Sequence, residues 1–254
     1  MTARGDADDH TAELAEELSD LQERLYAAGR STPEQAPSIL LILQGLDTSG
    51  KGGVIRKAVG LVDPQGIQLR AFKAPTPPEE LAHHFLWRIE QALPTPGMIG
   101  IFDRSQYEDV LISRVENLVP EEVWQARYDE INAFEAKVAA AGTRIIKCFL
   151  NVSRAEQKKR LLERLDNPEK HWKYNPGGDV DTRLRWDDYQ AAYLAALTRC
   201  NTDVAPWYAI PADKKWYRNW AVARLLLEEL RSLELGWPAA DFDVADERAQ
   251  VEAS

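Results

Sequence analysis

A glycine-rich stretch directly follows an apolar run at residues 39–43 and has the residue types of a phosphate-binding loop. The stretch reads GLDTSGKGG and covers residues 45–53. Gly45, Gly50 and Lys51 keep the spacing of a Walker A loop, whose backbone N–H groups surround a phosphate while the lysine reaches the outer oxygens. The sequence therefore predicts a phosphate site formed by Gly45, Thr48, Ser49, Gly50, Lys51, Gly52 and Gly53. The alternative is a glycine turn that only permits tight packing.

The loop departs from the Walker A pattern at one position. Gly52 stands where a serine or threonine normally follows the lysine and binds Mg²⁺ through its hydroxyl. The metal must therefore obtain a ligand elsewhere. Asp47 lies inside the loop, and a carboxylate oxygen suits a hard cation. We expect Asp47 to replace the missing hydroxyl.

A second candidate segment reads IGIFDRSQYED and covers residues 99–109. An apolar strand that ends in aspartate is typical of the Walker B arrangement, so Asp103 is predicted to bind metal beside the phosphates. The alternative for Asp103 is a helix N-cap. The Arg104 guanidinium is suited to clamping phosphate oxygens, or to a structural salt bridge. Arg114 is a weaker phosphate candidate, and Glu108 is a candidate for placing the metal or the acceptor.

The third candidate segment is locally basic. Residues 154–185 contain nine Lys/Arg and six Asp/Glu, which leaves the segment at about +3 in a chain whose net charge is −10. Helix-forming residues there are interrupted at residues 166–168 and 175–178. This pattern predicts a mobile lid over the phosphate site at about residues 153–186, carrying Arg160, Arg164, Lys170, Lys173 and Arg183. The alternative is an ordinary helical hairpin with a solvated charged face.

Alternating strand and helix patterns predict the elements that position these residues. Strands are predicted at residues 39–43, 68–72, 98–102, 144–150 and 207–210, and helices at residues 11–28, 79–93, 121–140 and 214–235, with a further helix starting at the loop glycines. Such alternation predicts an α/β fold with a central parallel sheet covered on both faces and a site at the carboxyl ends of its strands. We expect one domain over residues 11–235, a disordered N-terminus at residues 1–10 and a flexible acidic tail at residues 236–254.

The composition limits the classes of partner. A net charge of −10 argues against general nucleic-acid binding. No apolar run approaches the roughly 20 residues that a membrane span needs, and the first residues do not resemble a secretory signal. Cys148 and Cys200 are predicted to be buried thiols. We therefore expect a cytoplasmic protein with no membrane partner.

Taken together, these motifs resemble those of polyphosphate kinase family 2 over residues 14–235. The specific segments are GLDTSGKGG at 45–53, FDRS at 102–105, SRAEQ at 153–157, DNPEKHWK at 166–173 and APW at 205–207. The segments FKAPT at 72–76, FLWRI at 85–89, YEDVL at 107–111 and PADKKWYR at 211–218 look most like class III of that family, which phosphorylates nucleoside mono- and diphosphates. In class III the position of Asp103 is usually asparagine, which puts the balance between AMP and ADP as acceptors in doubt.

The resemblance implies a P-loop kinase fold with five parallel strands, three α/β/α layers and a helical lid. It also implies reversible transfer of the terminal phosphate of inorganic polyphosphate to AMP or ADP, with Mg²⁺ or, alternatively, Mn²⁺. Asp47 and Asp103 would lie at the metal, and Lys51, Arg104, Arg160 and Arg164 at the transferring group. Arg56, Lys57, Lys73 and Arg114 would guide the rest of the polyphosphate, and Lys170 and Lys173 would serve the nucleotide or the lid.

Several alternatives remain open at this point. Adenine nucleotides are the expected partners, with guanine nucleotides also considered, and we expect a homo-oligomer, either a dimer or a tetramer. An ATP-driven kinase for a nucleoside monophosphate or small metabolite would share the loop, the strand-end aspartate and the arginine lid. A non-catalytic nucleotide or polyphosphate sensor is a more remote alternative, because such proteins usually lose the loop lysine or a metal carboxylate.

Overall fold

Five strands form one parallel sheet in the computed structural model, which describes residues 5–73 and 83–254. The strands are β1 (Ser38–Gln44), β2 (Ile67–Ala71), β3 (Ile99–Asp103), β4 (Thr143–Asn151) and β5 (Trp207–Pro211), in the spatial order β2-β3-β1-β4-β5. All seven residues of β1 are buried, as a central strand covered on both faces requires. The predicted five-stranded parallel sheet is therefore confirmed.

Helices cover both faces of this sheet. The helices of the described chain are α1 (Gly5–Ser31), α2 (Lys51–Lys57), α3 (Trp87–Glu90), α4 (Glu108–Val115), α5 (Glu121–Ala140), α6 (Arg154–Asp166), α7 (Gly178–Leu184), α8 (Trp186–Arg199), α9 (Lys215–Ser232) and α10 (Val244–Ala253). A 3₁₀ segment, Pro168–Lys173, joins α6 to the turn before α7. No helix in the described part of the chain is long and apolar enough to cross a membrane.

Alternation along β1 divides the core between the two faces. Ile39, Leu41 and Leu43 pack in one cluster with the leucines of α1 and α9, including Leu18 and Leu226. The intervening residues of β1 join a second cluster on the opposite face, together with apolar side chains of α5. Because side chains alternate along a strand, an uninterrupted apolar run can supply both faces at once. This arrangement is the predicted α/β/α layering.

The strand register brings two of the predicted motifs together. In the β1–β3 ladder Leu43 is paired with Asp103, so the residues that follow both strands leave the sheet side by side. The backbone N–H of Arg104 donates to the carbonyl oxygen of Leu43 at 3.0 Å, which extends this pairing. The phosphate loop and the end of β3 are therefore neighbours.

The predicted helix at residues 79–93 is wrong in extent. Residues 79–82 lie outside the described part, and the helix present is the single turn α3, with Ile89 buried. The preceding chain forms a turn, in which a ring nitrogen of His84 accepts the N–H of Leu86. The other ring nitrogen lies 2.7 Å from Glu130 of α5, so this turn is tied to a neighbouring helix.

The two ends of the chain also differ from the sequence predictions. Residues 5–10 belong to α1, although we expected disorder there; residues 1–4 lie outside the described part. The helix packs on α9, and Arg231 of α9 pairs with Glu17 at 2.6 Å. Within the tail that was predicted to be flexible, α10 is helical with every side chain exposed. Its N-terminus is capped by Asp243, whose Oδ1 accepts two backbone N–H bonds.

Candidate phosphate-binding site

A cavity of about 630 Å³ opens at the carboxyl ends of β1, β2 and β3, where the fold predicts a ligand. It is lined by Asp47, Thr48, Gly50, Lys51, Gly52, Gly53, Arg56, Ala71, Phe72, Lys73, Asp103, Arg104, Arg160, Glu163, Arg164, Lys170, Trp172, Lys173, Lys215 and Arg218. Ten of these residues are lysine or arginine and three are acidic. In a chain with a net charge of −10, this concentration of cations is suited to a ligand with several negative charges.

The phosphate loop has the backbone conformation that its glycines predict. Gly50 has φ +105° immediately before α2, and Thr48 also has a positive φ, of +67°. The Lys51 side chain folds back over the loop, and its Nζ donates to the carbonyl oxygen of Gly45 at 2.8 Å. This bond holds the ammonium group at the mouth of the loop, against the cavity.

Burial sets the electrostatics of Lys51. Loss of solvent lowers the pKa of the ammonium group, and the positive charge of Arg104 adds to this effect. The carboxylates of Asp103, Asp47 and Glu108 act in the opposite direction. A bound phosphate would add further negative charge and so favour the protonated lysine.

Asp103 and Arg104 lie where the second motif predicts them. Asp103 ends β3, and α4 begins only at Glu108, so the alternative that Asp103 caps a helix is wrong. Arg104 has a left-handed backbone, with φ +66°, and its Nη2 lies 3.1 Å from Asp47 Oδ1. Burial lowers the pKa of Arg104, but the negative charges of Glu108 and Asp47 outweigh it and raise the pKa. Arg104 is thus both paired with the loop and turned to the cavity.

Arg160 of α6 holds the loop from the lid side. Its Nη1 donates to the carbonyl oxygens of Thr48 (2.8 Å) and Ser49 (3.4 Å), and its Nη2 to those of Ala212 (2.8 Å) and Asp213 (2.9 Å). Its Nε donates to Glu156 at 2.9 Å. The guanidinium therefore joins the phosphate loop to the segment that follows β5.

The predicted lid has the expected order of helix, break, turn and helix. In the described chain this order is α6, the 3₁₀ segment and α7. Arg164 donates to the carbonyl oxygen of Lys173 at 2.9 Å and lies 3.4 Å from Asp179, which is 2% exposed. Trp172, at the edge of the cavity, is 78% exposed. Arg164 thereby sets the fold of the segment that brings Lys170 and Lys173 to the cavity.

Five predicted site residues do not line the cavity: Gly45, Ser49, Lys57, Glu108 and Arg114. Gly45 forms the turn after β1, and a Cβ there would lie 2.7 Å from the carbonyl oxygen of Leu150. Ser49 is fully buried and its N–H donates to Leu46. Lys57 is exposed at the end of α2, and Arg114 lies over the Trp124 ring, 4.9 Å from its centroid.

Glu108 lies just outside the cavity and connects the end of β3 to the end of β1. It occupies the first turn of α4. In the orientation of the Gln44 amide that satisfies both its nitrogen and its oxygen, the nitrogen of this side chain, at the end of β1, donates to Glu108 Oε1 at 3.1 Å. The amide oxygen of Gln44 accepts the backbone N–H of Ser105 at 3.1 Å. Gln44 thus bridges the two motifs, and sequence reasoning missed it because a polar residue at a strand end has no distinctive pattern.

Arg218, Lys215 and Trp172 line the cavity although the sequence did not predict them as site residues. Arg218 and Lys215 belong to α9, 169 and 166 positions from Ser49, and the helical pattern there predicts only an amphipathic helix. The one sequence signal was their presence in the segment PADKKWYR, which carries the family resemblance.

A buried polar network holds the segment that follows Asp103 against β4 and α5. Lys147, in the middle of β4, donates to Glu135 Oε2 at 2.5 Å, to the hydroxyl of Tyr107 at 2.8 Å and to the carbonyl oxygen of Cys200 at 2.7 Å. The Tyr107 hydroxyl and the Gln106 amide donate to Glu135 Oε1 at 2.8 and 2.9 Å. The network therefore connects β4, α5 and the chain that follows the β3 motif.

Comparisons with known proteins agree with this arrangement. The family model described as polyphosphate kinase 2 matches residues 4–235. An AMP/ADP-polyphosphate phosphotransferase from Meiothermus ruber is 47% identical, covering 95% of this chain and 86% of the relative. An ADP-polyphosphate phosphotransferase from Rhodopseudomonas palustris is 43% identical, covering 88% and 78%.

A solved structure is similar over nearly the whole fold. The crystal structure of polyphosphate kinase 2 from Arthrobacter aurescens matches with a TM-score of 0.91 and 53% identity, covering 96% of this chain and 85% of that one. These matches confirm the resemblance seen in the sequence motifs. The chain belongs to the polyphosphate kinase 2 family.

Proposed function

We propose that this protein transfers the terminal phosphoryl group of inorganic polyphosphate to AMP and ADP, and that it runs in both directions. The observation that carries the proposal is the cavity at the phosphate loop, where ten basic side chains surround three acidic ones in an acidic protein. Such a cavity can accommodate a polyanion and a nucleotide phosphate at once, because it neutralises the charge of both.

Among the described residues that line the cavity there is no histidine, which fits this chemistry. The acceptor oxygen belongs to a nucleotide phosphate, whose second pKa is about 6, so it is largely ionised at neutral pH. A general base is then unnecessary. The protein must instead hold donor and acceptor in line and neutralise the equatorial oxygens, and Lys51 and Arg104 border the cavity where such oxygens would lie.

The acidic residues at the loop are suited to Mg²⁺. Asp47 and Asp103 both line the cavity, one from the loop and one from the end of β3. Within residues 5–73 and 83–254 there is no cluster of three or more His, Cys, Asp or Glu side chains that could hold a metal alone. Mg²⁺ usually binds one or two carboxylates and completes its shell with waters and substrate phosphates, so these two residues fit it, and also Mn²⁺. The bound ion would neutralise charge on the phosphate oxygens.

The acceptor is proposed from the relatives and the motifs together. The Meiothermus ruber relative is named for both AMP and ADP, and the Rhodopseudomonas palustris relative for ADP alone. The segments typical of class III favour both acceptors, whereas Asp103 is the residue of the other classes. We propose that the protein uses both nucleotides. A homo-oligomeric state and a cytoplasmic location remain predictions.

The test is an assay without ATP. The protein is incubated with polyphosphate, Mg²⁺ and either AMP or ADP, and the products are resolved by chromatography. We expect ADP from AMP and ATP from ADP. Formation of neither product, together with phosphorylation of AMP when ATP is supplied, would contradict the proposal and favour an ATP-driven kinase. Binding of polyphosphate without transfer would indicate a sensor.

Two variants test the site. We expect Lys51→Ala and Asp47→Asn each to lower polyphosphate-driven ATP formation by at least about 100-fold while the protein stays folded, since each removes a charge at the reacting phosphate. The matched control is Lys137→Ala, because Lys137 is 74% exposed and lies in a surface pair with Glu90. Near-normal turnover in either folded site variant would refute the assignment.

A further inference from the structure

The Arg218 guanidinium lies buried behind the phosphate loop, between the loop and α9. The residue is 3% exposed. Its Nη1 donates to the carbonyl oxygen of Ser49 at 3.1 Å, and its Nε and Nη2 donate to Asn219 Oδ1 at 3.2 and 2.8 Å. A Cβ on Gly50 would lie 1.7 Å from Nη1, and a Cβ on Gly53 would lie 2.5 Å from Nη2. The guanidinium therefore touches the loop where only a glycine leaves room for it.

No carboxylate of the described chain pairs with this charge. Arg104 is paired with Asp47 and Arg160 with Glu156, but the hydrogen bonds of Arg218 go to neutral oxygens. Burial, with the positive charge of Arg160 as a second cause, lowers the pKa of Arg218 to about 10. The side chain thus remains charged at neutral pH. A buried charge without an opposite charge is unfavourable, so a counter-charge from outside the chain would stabilise it.

The geometry points to the phosphoryl oxygens of the bound polyphosphate as that counter-charge. Arg218 is then a positioning residue, which holds the phosphate loop in place and attracts those oxygens through its positive charge. Arg218 also lines the cavity, and its guanidinium lies directly against Gly50 of the loop. This inference rests on the proposed function and adds a residue to its site.

The role differs from that of Arg160, although both guanidinium groups donate to the same carbonyl oxygen of Ser49. Arg160 has its own carboxylate, Glu156, and four backbone acceptors, so its charge is compensated when the cavity holds no ligand. Arg218 lacks such a partner. Ligand binding should therefore depend on the charge of Arg218 itself, beyond the shape of the loop.

The test separates charge from shape. Arg218→Lys keeps the positive charge but cannot make both sets of hydrogen bonds, whereas Arg218→Gln is neutral and keeps an amide donor at the position of Nε, beside Asn219. Arg224→Gln is the matched control, because Arg224 lies on the same helix, is 44% exposed and pairs with Glu228. Binding of tripolyphosphate with Mg²⁺ and without nucleotide is measured by titration calorimetry, and folding by thermal unfolding.

We expect Arg218→Gln to weaken tripolyphosphate binding by at least about tenfold, and Arg218→Lys to remain within about threefold of the wild type. Arg224→Gln should bind as the wild type does. The tripolyphosphate-induced rise in Tm should shrink in Arg218→Gln and persist in Arg218→Lys. Should Arg218→Gln not fold, Arg218→Met is the neutral variant for the same comparison.

Two outcomes would overturn the inference. Unchanged binding by a neutral variant would show that the charge has no part in holding phosphate. Equal losses in the neutral and lysine variants, with both folded, would show that only the hydrogen-bonded shape matters. A wild-type protein that binds no tripolyphosphate would refute this inference and the proposed function together, whereas one that binds it but transfers no phosphate would refute the proposed function alone.

Discussion

Replacing Lys147 by methionine should destabilise the protein more than any exposed substitution, because it leaves a carboxylate buried without its counter-ion. Lys147 and Glu135 are 0% and 1% exposed, and their charges lie 2.5 Å apart. In Lys147→Met, Glu135 keeps only the hydrogen bonds from Tyr107 and Gln106. Removing one partner of a buried ion pair costs about 3–5 kcal/mol. For a chain of this size that corresponds to a fall in Tm of about 6–20 °C.

The loss should grow as the pH rises. Burial raises the pKa of Glu135 even in the presence of Lys147, whose charge opposes that shift. Without Lys147 the folded protein would bind a proton on Glu135 more strongly than the unfolded chain does. Lys147→Met is then least destabilised below the ordinary glutamate pKa of about 4.3. Its stability falls as the pH rises through the raised pKa of Glu135 in the folded state. We therefore expect a smaller deficit at pH 5 than at pH 8.

Urea unfolding of the wild type, the two single variants and the double variant measures the energy of the Lys147–Glu135 pair. Glu135→Leu should also be strongly destabilising, because it leaves the lysine unpaired, while the double variant should lose less than the sum of the single variants. Lys137→Met, in an exposed pair with Glu90, serves as the control and should change stability by less than about 1 kcal/mol. A Lys147→Met protein within about 1 kcal/mol of the wild type at pH 8 would refute the reasoning.

Two further predictions concern Asp109, in the first turn of α4, and the glycines of the phosphate loop. The pKa of Asp109 is raised from 3.8 to about 6, mainly by burial, so the folded protein holds this proton more tightly than the unfolded chain does. The free energy of unfolding of Asp109→Asn, relative to that of the wild type, should therefore rise by up to about 3 kcal/mol between pH 4 and pH 7. Urea titration at each pH measures this difference. A difference in the free energy of unfolding that stays constant over that pH range would contradict the raised pKa of Asp109. Gly50→Ala should lower both Tm and transferase activity, because φ is +105° there and Arg218 occupies the space of the new Cβ. Gly52→Ala should leave Tm within about 2 °C, since a Cβ there meets nothing within 4 Å; equal losses of Tm in the two variants would count against this account of the loop.

The sheet and the position of the site could be predicted because both depend on local patterns. The continuous apolar run of β1 needs burial on both faces, and a helix opening at the loop glycines follows from the same stretch. The rule that ligands bind at the carboxyl ends of parallel strands then places Asp103 beside Lys51 without any distance being known. The β1–β3 register has that arrangement.

The remaining site residues could not be predicted, because their roles depend on contacts between distant parts of the chain. Arg218 is separated from Ser49 by 169 positions, and Lys147 from Cys200 by 53. A basic residue within an apolar strand or an amphipathic helix has no local pattern that distinguishes a buried pair from a side chain that reaches solvent. The single turn of α3 escaped prediction for a similar reason, because His84 is held by Glu130 of another helix.

The glycines of the phosphate loop are present for different physical reasons. Gly45 and Gly50 have positive φ, and a Cβ on Gly45, Gly50 or Gly53 would meet another atom within 2.7 Å. Neither reason applies to Gly52, whose backbone is helical and whose missing Cβ would meet nothing within 4 Å. Contacts within the fold therefore do not require glycine at this position. A glycine lets a phosphate chain approach the first turn of α2 closely, at a position where a serine would place a hydroxyl. On the proposed function, closer approach by a polyanion and a metal ligand at Asp47 would both follow from this one residue, and Gly52, more than Lys51, would then separate this site from an ordinary ATP-binding loop.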